Sequence, residues 1–311
     1  HPTIIVDGYK KAGNKAKQYL KDIAEQVTPD DKSALLKIAK TSMQTKLVRK
    51  DSDKLADIIV QAVLAASVKD DENYTVDIDD IKVEKKAGGS ISDSSILEGI
   101  VLDKEIVHSG MPKKITDSKI ALINTALEIE KTEIDAKINI SSPEQMKLFL
   151  DEENKMIKDM VNKVVSSGAT VVFCQKGIDD MAQHYLAKAG ILAVRRIKES
   201  DLTKLAKASG ARIITNLADL SEKDLGISDL VEERKVEEDR WVFVEGCKHP
   251  KSVTLLLRAG SQRVVDEVER AVHDAIMVVK DVIELPSGVA GGDAPESYAA
   301  TQIISWAKSL E

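Results

Sequence analysis

The residues able to do chemistry are few and widely spaced. Asp274 lies in the stretch Glu269-Arg270-Ala271-Val272-His273-Asp274-Ala275, which reads as helix, and Arg270 stands where an i, i+4 ion pair can form. By type alone such a carboxylate is a solvated helix residue. Gly291-Gly292-Asp293 is a glycine turn that lacks the Lys-Ser/Thr of a P-loop. Asp293 and Glu296, with Pro295 in the first turn, are placed instead to form a helix N-terminal box. Lys46 opens a basic loop over residues 45–51 and reads as solvated. His108, His184, His249 and His273 do not stand with acids at metal-ligand spacing, so no zinc site is expected. Cys174 ends an apolar run and reads as a small buried residue. Cys247 lies far from it with no CxxC, which argues against a disulfide framework and for a reducing compartment.

A second kind of candidate is apolar. Ser142-Pro143-Glu144-Gln145 is a helix start: the serine can cap, proline suits the first helical position, and glutamine sits where a capping box needs it. Met146, Phe149 and Leu150 follow at once, and Phe149 is one of only three Phe in the chain. The acids Asp151-Glu152-Glu153 then interrupt the stripe, which resumes with Met156, Ile157, Met160, Val161 and Val164. Apolar residues at this spacing are ordinarily core. A tip patch separated from a basal stripe is the pattern of a helix that projects at one end and packs at the other. Exposed apolar patches mark interaction sites, and methionine suits varied partners.

The elements that must position these residues change style along the chain. Residues 3–27 read as helix, Thr28 as the cap of a second helix, and Asp51 to Val68 as a third. Near residue 87 the pattern turns to alternation, with runs at Ile96 to Val107 and Lys119 to Ile129. Ala169 to Phe173, Ile191 to Ile197 and Ala211 to Ile214 read as strands, with helices at Asp179 to Lys188 and Ser200 to Ala208 between them. That order is the signature of parallel βαβ units. Trp241 to Glu245 and Ser252 to Leu257 add strands, and helix returns after Gly260. Helical material thus brackets an α/β insert, an arrangement suited to hinged motion. Apolar residues make up 43% and charged residues 31% of the 311, a globular composition rather than a disordered one. Aromatics are only 3%, so cores must be aliphatic. A net charge of −7 argues against a general nucleic-acid binder, which would show a basic face. No apolar run reaches membrane-spanning length, and no signal-peptide pattern is read at the start. The start at His1, directly on a helical sequence, is read as that of a fragment.

Ordered motifs run through the whole chain: HPTIIVDGY, VLDKEIVHSGMPKKI, EIEKTEIDAKINISSPEQ, VVFCQKGIDDMAQHYLAKAGILAVRRI, ARII, VEGCKHP and ERAVHDAIMVVKDV. In these the chain resembles the group II chaperonins, the archaeal thermosome and its eukaryotic cytosolic relatives. The resemblance implies an α/β apical domain at 88–255, with a helical protrusion at about 137–160, inserted into a discontinuous, mainly helical intermediate domain at 31–87 and 256–284. Short equatorial helical pieces would lie at 1–30 and 285–311.

The same resemblance implies roles. The chain would be a subunit of a cytoplasmic, ATP-dependent folding chamber, a homo- or hetero-oligomeric double ring with a built-in lid. Its partners would be non-native polypeptides and other subunits, with no nucleic acid and no membrane. Asp274 matches the aspartate that the family swings onto ATP to position the attacking water. Gly291 and Gly292 match a glycine run that touches nucleotide, and Lys46 falls where a loop senses the γ-phosphate. Asp293 departs from the family's usual third glycine and puts a negative charge near an anionic ligand. Met146, Phe149 and Leu150 would be the client-binding tip of the lid. The family's Gly-Asp-Gly-Thr phosphate loop does not occur in this sequence. ATP and magnesium are therefore expected in the intact complex, with none bound and no hydrolysis by this chain alone. Two other readings compete: a self-standing α/β enzyme with its site at the C-terminal ends of strands 171–173 and 191–197, and a natural short scaffold derived from a chaperonin.

Overall fold

In chain order the elements begin with helix α1 (Pro2–Ile23), strand β1 (Glu25–Gln26), α2 (Lys32–Met43), α3 (Ser52–Ala66), β2 (Ser67–Asp70) and β3 (Asn73–Val76). Then come β4 (Ile81–Ala87), β5 (Ser95–Leu102), β6 (Lys114–Ile123), α4 (Pro143–Ser166), β7 (Val171–Cys174), α5 (Asp180–Lys188), β8 (Leu192–Val194), α6 (Glu199–Ser209) and β9 (Ile213–Ile214). The rest are β10 (Gly226–Val236), β11 (Asp239–Cys247), β12 (Val253–Ala259), α7 (Gln262–Glu284), β13 (Ser287–Gly288) and α8 (Ala294–Lys308). This computed structural model describes residues 1–70, 73–129, 142–247 and 252–310. The chain divides into two units, one of His1–Val60, Val68–Val76 and Ala271–Glu311, the other of Gln61–Ser67 and Asp77–Arg270.

The first unit is helical. Leu35, Ala39 and Met43 form the buried stripe of α2, and Val272, Ala275, Ile276, Val279 and Ile283 that of α7. Both follow the i, i+3, i+4 spacing of one helix face. Helix α1 lies against α8, and β1 pairs with β13 antiparallel, Glu25 opposite Gly288. The cap of α2 is Asp31, which accepts from Ala34 N–H at 3.0 Å, rather than the expected Thr28. The extra residues between Thr28 and the helix are a turn, Asp31 N–H donating to the Thr28 carbonyl. The basic loop after α2 is a 3-10 turn, Leu47–Asp51, anchored by buried Val48.

The second unit is built on a nine-stranded sheet in the order β4-β12-β5-β11-β10-β6-β7-β8, with β9 also on β6. β6 runs parallel to β7 and β9, and β7 parallel to β8, as the βαβ pattern requires. Residues of these strands alternate between two cores. Ile120, Leu122, Val171, Phe173, Leu192 and Val194 meet Leu202, Leu205 and Ala208 of α6. Ala121, Ile123, Val172, Cys174 and Ala193 meet Ile157, Val161 and Val164 of α4 and Ala182 and Leu186 of α5. Both faces are covered, so the strands read as continuous apolar runs. The remaining half is antiparallel: β10 pairs with β6 and β11, β11 with β5, and β5 with β12. Gly99 permits the β5–β11 approach, because at its φ of +144° a Cβ would sit 2.0 Å from the Val244 carbonyl oxygen.

Candidate functional site

Helix α4 carries the first candidate. Ser142 caps it, its hydroxyl accepting from Gln145 N–H at 3.2 Å, and Pro143 occupies the first turn. Its base is fixed by Ile157, Val161 and Val164, all buried in the sheet's second core. Its leading turns are bare. Met146 is 49% exposed, Phe149 38% and Leu150 48%. Leu148, at 69%, belongs with them and was missed, because it lies off the i, i+3, i+4 stripe that pointed to the other three. Apolar residues therefore face more than one side of the leading turns, which a packed amphipathic helix does not show. Met156, expected in the basal stripe, is 47% exposed, so the buried stripe starts at Ile157. Residues 137–141 of the expected protrusion lie outside the described residues.

The second candidate lies in the first unit. Lys46 precedes the 3-10 turn, in extended backbone at φ −108° and ψ 167°, and Arg49 N–H donates to its carbonyl at 3.1 Å. Its Nζ lies 2.5 Å from Oδ2 of Asp274 on α7. The helix pair open to Arg270 does not form among the described residues: Arg270 bonds Glu267 at 2.9 Å instead. The hydrogen bond from Lys46, and then its charge, hold the Asp274 carboxyl below the usual carboxylate range. Asp274 Oδ1 has no hydrogen-bond partner among the described residues, so one oxygen of an ionised, largely exposed carboxylate is free to accept.

Gly291 and Gly292 form the turn between β13 and α8, and a Cβ on either would meet nothing within 4 Å. No hydrogen bond or ion pair joins them to Lys46 or Asp274 among the described residues. Asp293 does occupy the N-cap position of α8, but its side chain makes no cap bond. Its φ of +64° is the reason, since a capping side chain needs extended backbone.

The other titratable groups have structural settings. Cys174 is buried, and burial pushes its thiol up to about 11, so it is unreactive at neutral pH. His108 and His184 meet edge to face at 6.2 Å, and His249 lies outside the described residues. Carboxylates of Glu84, Asp103 and Asp201 gather within 4.8 Å. The positive charge there is a buried lysine, Lys82 Nζ standing 2.9 Å from both Glu84 and Asp201.

A family model described as the TCP-1/cpn60 chaperonin family matches residues 1–311. The chain belongs to this family. A thermosome subunit of Methanopyrus kandleri is 53% identical over 311 residues, all of this chain and 57% of that protein. One of Pyrococcus horikoshii is 54% identical over 310 residues, 56% of its length. The chain thus spans little more than half the length of these relatives. An open-state monomer of a group II chaperonin from Methanococcoides burtonii superposes with a TM-score of 0.80 at 40% identity, covering 100% of this chain and 71% of that one. The resemblance stated from the motifs is borne out, and the fold is that of a group II chaperonin subunit.

Proposed function

We propose that this chain supplies the client-contacting and hinge portions of an ATP-dependent, cytoplasmic chaperonin subunit that works in a double ring. The observation that carries the reading is the split along α4, apolar and bare at its start, buried at its base. Residues 88–255 act as the apical domain, with α4 as the rigid arm of a built-in lid. Residues 31–87 and 256–284 form the intermediate domain, and 1–30 and 285–311 belong to the equatorial domain. Met146, Leu148, Phe149 and Leu150 offer non-native polypeptides an adaptable surface, and on lid closure they meet neighbouring subunits.

In a subunit of the relatives' length, bound ATP would supply the phosphoryl group whose hydrolysis drives the lid, and magnesium would neutralise the phosphate charge. This chain's contribution is Asp274, an ionised acceptor able to orient a water. Lys46 holds that carboxylate while the γ-phosphate is absent and is itself a cation suited to a phosphate. Gly291 and Gly292 leave the backbone open for close approach. Asp293 opposes an anion there, which weakens nucleotide binding relative to glycine.

Suppression of aggregation of a chemically denatured protein tests the client surface. Wild type should suppress it, and a variant with serine at Met146, Leu148, Phe149 and Leu150 should not. Equal suppression by both removes the α4 tip as a client site.

A further inference from the structure

The sulfur groups of this chain are few, and their placement is uneven. Cys174 is buried and Cys247 half-buried. Burial pushes each thiol up to about 11, in Cys247 with help from the charge of Asp229. Thiolate, the reactive form, is therefore scarce in both at neutral pH. That leaves the seven methionines. Met43 and Met111 are buried, and Met160 and Met277 are part-buried. The three exposed thioethers, Met146, Met156 and Met181, all lie on α4 and α5.

Met146 differs from the other two in its company. It stands with Leu148, Phe149 and Leu150 in the bare leading turns of α4 and belongs to neither core of the sheet. Of those four side chains only its thioether is open to oxidation by a hydroperoxide; the hydrocarbon and phenyl groups are inert to it. A hydroperoxide is uncharged at neutral pH, so the acids Asp151, Glu152 and Glu153 just beyond do not repel it. Oxidation turns an apolar, pliable side chain into a dipolar one. An apolar segment seated on the tip would then bury the sulfoxide oxygen without a hydrogen-bond partner, which is unfavourable.

We propose that Met146 is a redox modification site: a hydroperoxide oxidises its thioether, and the sulfoxide withdraws the α4 tip from non-native chains. A sulfur lone pair attacks one peroxide oxygen, the S–O bond forms, and the O–O bond breaks. The second oxygen leaves with the bonding pair and takes up the proton, so hydrogen peroxide ends as water. Sulfur loses two electrons and the peroxide gains them. The fold tolerates the product, because the Met146 side chain fills no part of either core. Enzymatic reduction of the sulfoxide restores the thioether, which makes the change reversible. The effect on clients rests on the chaperone reading; the reaction at Met146 does not.

The test is hydrogen peroxide added to the folded chain and removed with catalase, with site oxidation read by peptide mass spectrometry. Suppression of aggregation of a denatured protein is then measured for each chain relative to its own untreated level. Met146 should oxidise several-fold faster than buried Met43 and Met111. Wild-type suppression should fall as the Met146 sulfoxide accumulates and return after treatment with methionine sulfoxide reductases of both stereochemical classes. A chain with Met156→Leu and Met181→Leu should lose suppression as wild type does. Met146→Leu, whatever its untreated level, should lose none, although Met156 and Met181 still oxidise. Oxidation of Met146 no faster than that of Met43 and Met111 overturns the proposal. So does an equal fractional loss in Met146→Leu and wild type. Untreated wild type that suppresses nothing refutes the chaperone reading instead, and the site is then judged by its oxidation rate alone.

Discussion

The two ends of α4 share one helix and nearly the same residue types, yet their surroundings are opposite. At the base, Ile157, Val161 and Val164 are buried against β6, β7 and α5. At the start, Met146, Leu148, Phe149 and Leu150 are exposed although each could contribute about 1.5–3 kcal/mol if covered. The same contrast separates two lysine–carboxylate pairs. Lys82 and Asp201 are both about 8% exposed, whereas Asp274, paired to Lys46, is 60% exposed. Residue type does not tell the buried member of each comparison from the exposed one; position in the fold does. Buried groups hold this fold, and under the proposed function their exposed counterparts are the ones that exchange partners.

The largest effect should come from the buried pair. Asp201→Ala leaves Lys82 buried with one carboxylate partner fewer and should cost about 3–5 kcal/mol. A urea midpoint followed at Trp241, which is buried in the second unit, checks it. Ile157→Ala at the α4 base should cost about 2–5 kcal/mol by loss of burial and a residual cavity. Phe149→Ser at the other end should move the same midpoint by no more than about 0.5 kcal/mol. A fall as large as that of Ile157→Ala would break the comparison, because the tip would then be structural.

Smallest is the exposed pair. Lys46→Ala should cost below about 1 kcal/mol at neutral pH. Its clearer readout is the Asp274 titration followed by carboxyl NMR. Asp274's folded pKa lies below the unfolded value of about 3.9, so the pair's contribution is fully present above that value. It is lost as pH falls through the depressed folded value. In Lys46→Ala the Asp274 pKa should rise toward the ordinary range and this acid dependence should disappear.

Much of this arrangement was legible in the sequence, for physical reasons. The Ser142-Pro143 start of α4 is local chemistry, and the structure has that cap. β7 and β8 were readable because sheet faces covered on both sides leave unbroken apolar runs. β10 was not, because Glu232, Arg234 and their neighbours break its alternation. Those charges are satisfied across strands, Arg234 binding Glu245 of β11 at 2.6 Å. The parallel pairing of β4 with β12, Ile81 opposite Val253, joins segments too distant for any local pattern. The partner of Asp274 is hidden for the same reason, since helix spacing offers only Arg270 and Lys46 is 228 residues away. The box expected at Asp293 failed because backbone conformation, not residue type, decides a cap.

The most direct test of the α4 contrast places a photo-reactive side chain at Phe149 in one variant and at Lys163, exposed at the base of the same helix, in another. Each is irradiated with a denatured, labelled client. Cross-linking to the client at position 149 and little at 163 is the expected result. Equal adducts at both positions, or adducts at 163 alone, would contradict the assignment of the α4 tip as the working surface.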